Sequence, residues 1–192
     1  MHLSQSNANE DLWVFGYGSL MWRPGFGHLE RVPARIVGLH RALCVYSFVH
    51  RGTPEKPGLV LGLDRGGGCR GIAYRVAAAR REATLAYLRE REQVTKVYLE
   101  TMRRVTLASG EANAVVYVVD RGHPQYAGRL DLERQLQLVR QAHGLSGANV
   151  DYVLATVAEI EAQGCRDPGL HLLAERLKGG HAPHAPADRA AQ

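Results

Sequence analysis

Glu92 stands in a segment, AARREATLAYLREREQ, whose other charges read as an ordinary solvated helix face. At about 100° per residue, Glu92 falls about 20° from Leu85 and about 40° from Leu88, on the apolar stripe, whereas Glu82 and Glu90 project elsewhere. A carboxylate at the core-side end of a helix is costly unless it is paired, protonated or used. Partial burial raises its pKa toward the range in which a carboxyl group exchanges protons with a substrate. Pairing with Arg75, Arg91 or another arginine explains the same position structurally.

The stretch VFGYGSLMW, residues 14–22, is a second candidate. An apolar run breaks into Gly-Tyr-Gly-Ser and resumes at once, the mark of backbone that turns sharply or comes close to something bound. Gly16 and Gly18 have the Gly-x-Gly spacing of a dinucleotide fingerprint, but Met21 stands where the third glycine belongs. Pro24 and Gly25 then deny the helix N-terminus that would receive a pyrophosphate. Ser19 is no nucleophile elbow, because Tyr17 and Met21 occupy the required glycine positions. The remaining chemistry is a backbone nest, with the amides of Gly18, Ser19 and Leu20 donating to a carboxylate or polarised carbonyl beside the Ser19 hydroxyl. On its own the stretch reads first as a tight turn that ends a strand.

Ser47, His50 and Arg51 lie in YSFVHRGTPEKPG, where a strand runs into a loop, and Arg51 has the fork to hold a carboxylate. A solvated loop arginine is the alternative. Tyr117 sits in AVVYVVD, a strand apolar on both faces, so its hydroxyl needs a partner inside the protein.

The elements that carry these residues follow from periodicity and turn chemistry. Apolar runs predict strands over Leu12 to Tyr17, Ala34 to Val49, Leu59 to Asp64, Cys69 to Val76, Tyr98 to Leu107 and Ala112 to Asp120. DRGGGCRG reads as a hairpin turn between two of them, and RGTPEKPG as a longer surface loop. One helix, about Ala78 to Gln93, interrupts the strands. Helical periodicity then runs through Leu130 to His143, Val150 to Gln163 and Pro168 to Lys178, with Gly144 and Gly164 as stops and Asp167 as an N-cap. This order predicts an α+β fold.

The 192 residues suit a single domain over 12–178, with flexible tails at 1–11 and 179–192. Cys44, Cys69 and Cys165 contain no Cys-x-x-Cys pair, which speaks against a zinc or redox motif and for a reduced, cytoplasmic protein. His181 and His184 in the tail make a weak metal pattern. No apolar run reaches the roughly 18 residues of a membrane span, and the first residues lack the pattern of a signal peptide. The net charge of +5 invites a nucleic-acid reading, but the arginines are scattered singly or in pairs rather than interleaved with aromatics. The expectation is no nucleic-acid partner and no membrane, with oligomeric state open.

Taken in order, VFGYGSLMW, HRGTPEKPG, GCRGIAYRV, YLREREQ and PQYAG resemble the ChaC-like γ-glutamylcyclotransferases, which act on glutathione. The match spans most of Trp13 to Leu177. It implies a compact mixed β-barrel with surrounding helices, a γ-glutamyl pocket, and neither metal nor organic cofactor. The family's catalytic glutamate falls in the Arg-Glu pair after Tyr-Leu, here Arg91-Glu92, the residue that the helical phase turns inward. The family's turn corresponds to Tyr17, Gly18, Ser19 and Leu20, which wraps the γ-glutamyl group, and Ser47, Arg51 and Tyr117 correspond to pocket residues. One departure is REQVTKVY, where several relatives carry two glycines before a tyrosine. It bears on the loop after the helix and on substrate range.

The function so implied is cleavage of glutathione to 5-oxoproline and Cys-Gly, with Glu92 as general acid and base. Alternatives are cyclisation of other γ-glutamyl amines or amino acids, and a non-catalytic γ-glutamyl-binding module, against which retention of an inward carboxylate argues.

Overall fold

Strand β1 (Leu12–Gly16) shows how the sequence closes the structure. Its residues alternate, with Trp13 and Phe15, followed by Tyr17, on the barrel-interior cluster and Leu12 and Val14 on the opposite face. Both faces are therefore covered, which explains the unbroken apolar run. The computed structural model describes residues 10–92 and 96–179. Within it β2 (Glu30–Ser47), β3 (Gly58–Val76), β4 (Tyr98–Leu107) and β5 (Gly110–Val119) join β1 in a closed barrel of order β1-β3-β2-β4-β5. All pairings are antiparallel except β1 with β5, where Trp13 faces Ala114 and Val14 faces Val115 in parallel register. The barrel is thus mixed, and closure leaves no free edge.

The expected hairpin at DRGGGCRG is not there. Residues 58–76 form one strand, paired with β2 from Ser47↔Gly58 to Glu30↔Arg75. The glycines serve a bulge instead. The register shifts between Val37 and Leu39, and Gly38, Gly66 and Gly67 take φ of 83°, 102° and 67°, which L-residues adopt rarely. The glycine density was a true signal of bent backbone, in a strand that continues through it.

Helix α1 (Arg81–Glu92), entered through a 3₁₀ turn at Ala78–Arg80, lays Leu85 and Leu88 on the outer face of β1 and β5 against Val14, Val76, Val115 and Tyr117. Leu88 is fully buried. Its truncation to Ala would cost about 2–5 kcal/mol and loosen the last turn of the helix. Asp11, the last residue of the expected flexible tail, is instead tied to the fold: it accepts the Ala78 N–H at 3.0 Å and pairs with Arg75 at 2.9 Å. Of the expected tails 1–11 and 179–192, residues 1–9 and 180–192, with His181 and His184, lie outside the described residues, as do positions 93–95 of the REQVTKVY departure.

Helices α2 (Leu132–Gln141), α3 (Asn149–Ala162) and α4 (Pro168–Gly179) cover another flank, burying Leu136, Ile160 and Leu173 against Ile72 and Tyr74 of β3. Asp167 caps α4 as expected, its Oδ1 accepting the Leu170 N–H at 3.2 Å. Gly164, at φ 70°, ends α3. Gly144 does not end α2, which closes at its C-cap Ala142. It belongs to a small ribbon of β6 (His143–Gly144) and β7 (Gly147–Ala148). A Cβ there would sit 2.5 Å from the Val49 carbonyl oxygen, so the glycine permits the ribbon's close contact with the β2–β3 loop.

Candidate active site

Strand β1 ends at Gly16, and the chain turns through a 3₁₀ helix at Ser19–Met21. A Cβ on Gly16 would lie 3.0 Å from the Leu20 Cβ and 3.2 Å from the Met21 nitrogen, so the first glycine exists for the turn's own folding. Gly18 has more room and faces a cavity of about 130 Å3. The cavity lies between this turn, the end of α1, Val60 and Leu61 of β3, Tyr98 and Tyr117 of the barrel, and Tyr152 and Thr156 of α3. Elements distant in sequence thus converge on residues 17–20.

Glu92 is the carboxylate in that lining. Its side chain is 18% exposed, whereas Glu90 faces solvent, as the helical phase requires. Burial raises the Glu92 carboxyl above its ordinary value of 4.5, against a downward pull from Arg91. Arg91 Nε pairs with Glu92 at 3.2 Å, the pairing that the structural explanation of its position requires. That guanidinium also donates to the Ser19 Oγ at 2.9 Å, the Arg23 carbonyl at 2.6 Å and the Tyr87 hydroxyl at 3.1 Å. Arg91 therefore ties the turn to the helix that carries the carboxylate.

The rest of the lining is phenolic. Tyr17 and Tyr98 are held well above the usual phenol range, first by burial and then by neighbouring groups that include Glu92. Tyr98 donates to the Leu61 carbonyl at 2.6 Å, while the Tyr152 hydroxyl accepts the Leu61 N–H at 3.1 Å. Among the described residues the Tyr17 hydroxyl makes no protein hydrogen bond, and Tyr17 lines the cavity. Tyr117 finds the interior partner its strand demands. Its hydroxyl donates to Glu100 Oε2 at 3.1 Å, and Glu100 is held by Arg89 through two bonds of 2.8 Å. Burial and the Glu100 charge push the Tyr117 phenol up.

Of the residues singled out by sequence, Tyr17, Gly18, Ser19, Leu20, Glu92 and Tyr117 come together around one cavity. Ser47 and Arg51 stand one layer back. The Ser47 Oγ accepts the Arg51 N–H at 3.0 Å, and the Arg51 guanidinium donates to the Ser146 and Ala148 carbonyls while lying 5.4 Å from the Tyr152 ring centroid. His50 contacts the Ser146 Oγ at 2.9 Å. Sequence reasoning missed Tyr98 and Tyr152. A tyrosine on the apolar face of NVDYVLAT signals a hydroxyl that needs an interior partner, as at Tyr117.

Among the described residues no group of three or more His, Cys, Asp or Glu side chains is placed to hold a metal ion. No described helix is long and apolar enough to cross a membrane.

A closed mixed barrel flanked by helices is the architecture of the γ-glutamylcyclotransferase fold. The structure superposes with a TM-score of 0.76 on the crystal structure of a γ-glutamyl cyclotransferase specific to glutathione from yeast, at 22% identity over 88% of this chain and 99% of that one. Residues 12–179 match the family described as ChaC-like protein, and the chain belongs to that family. It is 36% identical over 168 residues to the glutathione-specific γ-glutamylcyclotransferase of Escherichia coli K12, covering 87% of this chain and 73% of that protein. It is 32% identical over 170 residues to the human glutathione-specific γ-glutamylcyclotransferase 1, covering 85% and 76%.

Proposed function

We propose that the protein cyclises the γ-glutamyl group of glutathione, releasing 5-oxoproline and Cys-Gly, with Glu92 as the proton carrier. The observation that carries this reading is the placement of one partly buried carboxylate opposite the Tyr17–Leu20 turn across a single cavity. Membership of a family whose relatives bear the name glutathione-specific γ-glutamylcyclotransferase supports it.

The chemistry needs no protein nucleophile. The α-amine of a γ-glutamyl amide closes a five-membered ring on its own γ-carbonyl, so the enzyme's tasks are to fold the substrate and manage protons. An α-amine with a pKa of about 8 is largely protonated at neutral pH. Glu92, raised by burial, accepts that proton. The N–C bond of the lactam forms and the γ-carbonyl oxygen gains negative charge; the attacking nitrogen loses its second proton to solvent, the carbonyl re-forms and the amide bond to cysteine breaks. The Glu92 carboxylic acid then protonates the departing amine and returns to the carboxylate. Donors from the turn steady either this oxyanion or the substrate's α-carboxylate.

A cavity of about 130 Å3 is smaller than the roughly 300–1,000 Å3 of sites that enclose a whole small ligand. This favours enclosure of the γ-glutamyl half, with Cys-Gly at the mouth. Tyr17, Gly18, Ser19, Leu20 and Tyr117 would hold the γ-glutamyl group, while Arg51 and Ser47 act from behind Tyr152. Three buried cysteines and a substrate of reduced compartments fit a cytoplasmic protein. Incubation with glutathione and mass-spectrometric detection of 5-oxoproline tests the proposal. Turnover of γ-glutamyl-alanine or γ-glutamyl-lysine, with none of glutathione, would shift it to the broader γ-glutamyl class.

A further inference from the structure

Each carbonyl of the turn is tied. The Gly18 carbonyl accepts the Met21 N–H at 2.8 Å, and the Ser19 carbonyl accepts the Arg23 N–H at 2.8 Å. The Tyr17 carbonyl accepts from the Nε of Arg41, a side chain of β2. In a trans peptide the C=O and the next N–H point in opposite directions, so a tied carbonyl fixes where the following amide aims. No peptide bond here is cis. The amides of Gly18, Ser19 and Leu20 are thereby each oriented from behind, the last two by the turn itself and the first by Arg41 alone.

Arg41 is an unusual residue to bury. Its side chain is 2% exposed, and the carboxylate that faces it, on Asp167, stands at 3.6 Å, beyond hydrogen-bond reach. Its Nη2 donates to the Arg70 carbonyl at 2.8 Å and to the Met21 sulfur at 3.5 Å. Burying a guanidinium carries a large desolvation cost, and a well-packed apolar side chain of similar volume commonly serves stability as well or better. Two of its contacts, the Tyr17 carbonyl and the Met21 sulfur, nevertheless lie on the Tyr17–Met21 turn.

We propose that Arg41 is a positioning residue for the reaction. It holds the Tyr17 carbonyl so that the Gly18 N–H faces the cavity, and its charge polarises that peptide so that the N–H donates more strongly to a negative substrate oxygen. This rests on the reading of residues 17–20 as the γ-glutamyl cradle. Arg41 also lines a separate cleft of about 700 Å3, together with His40, Asp64, Arg121 and Asp167. Asp167, the carboxylate that faces the Arg41 guanidinium, lines the same cleft, so truncating Arg41 is expected to open its site to a small cation from that side.

The experiment is steady-state glutathione kinetics on Arg41→Ala and Arg41→Met, with and without millimolar methylguanidinium. Outright loss of an oxyanion donor costs about 10²- to 10³-fold in turnover, so a misaimed donor should cost roughly 10- to 100-fold in kcat/KM. Methylguanidinium should restore part of this loss in Arg41→Ala, and sodium chloride at equal ionic strength should not. The acid limb of the pH profile, which belongs to Glu92, should stay in place. Where Arg41→Ala does not fold, Arg41→Met keeps the buried stem and carries the test. Wild-type kcat/KM in either folded variant, or a loss that methylguanidinium leaves unchanged in folded Arg41→Ala, overturns the proposal. A wild-type protein inert toward glutathione would instead remove the functional reading on which it rests.

Discussion

Replacing Glu92 by Gln removes a proton carrier while keeping the side chain's shape. General acid–base catalysis is worth about 10²- to 10⁴-fold. The structure argues for the upper part of that range, because the other ionisable groups facing the cavity are tyrosines. Tyr17, Tyr98, Tyr117 and Tyr152 are all pushed above the usual phenol range, so none is an effective base near neutral pH. A loss of about 10³- to 10⁴-fold in kcat, about 4–5.5 kcal/mol, is expected. The pH profile supplies the sign. Wild-type activity should fall as the pH drops through the raised Glu92 pKa, above 4.5, and this limb should vanish from the residual activity of Glu92→Gln. Stability should move the other way. A carboxyl whose folded pKa is raised contributes stability at low pH that is lost as pH rises through the folded value, so the Gln variant should gain on the wild type from about pH 4.5 toward neutrality. Loss of the Arg91 pair subtracts from that gain. The assay is 5-oxoproline formation, with calorimetric glutathione binding and thermal unfolding on both proteins. A folded Glu92→Gln that turns over at the wild-type rate, with Glu90→Gln impaired instead, would refute the base assignment and the helical phase together.

Arg51→Ala should raise KM several-fold with a smaller change in kcat, because the Tyr152 wall of the cavity loses the guanidinium stacked on it; unchanged kinetics would leave Arg51 as a loop brace. EDTA should leave activity intact, and loss restored by a divalent ion would contradict the metal-free mechanism. The cysteines should resist alkylation at pH 8 in the native protein, since burial pushes the Cys44 thiol up to about 12 and the Cys69 thiol up to about 11. Rapid labelling with loss of activity would show that the barrel opens.

The inward phase of Glu92 was legible because a helix ties angle to sequence number, and Leu85 and Leu88 define the buried stripe. The strand content was legible for the same local reason. What failed was non-local. Nothing in DRGGGCRG distinguishes a hairpin from a bulge in a strand that continues, since both need glycine at positive φ and only pairing with β2 decides. Gly144 likewise looks like a helix stop until the Val49 carbonyl is seen against it. Arg41, Tyr98 and Tyr152 reach the turn or the cavity from separate elements, which only closure of the barrel and the packing of α3 against it bring there.

The central claim is that the substrate's own amine, rather than water, breaks the γ-glutamyl bond. Turnover of glutathione in ¹⁸O-enriched water, followed by mass spectrometry, tests it directly. The account predicts 5-oxoproline and Cys-Gly in equal amounts, with no solvent oxygen in either. Glutamate carrying ¹⁸O, or no release of Cys-Gly at all, would contradict it.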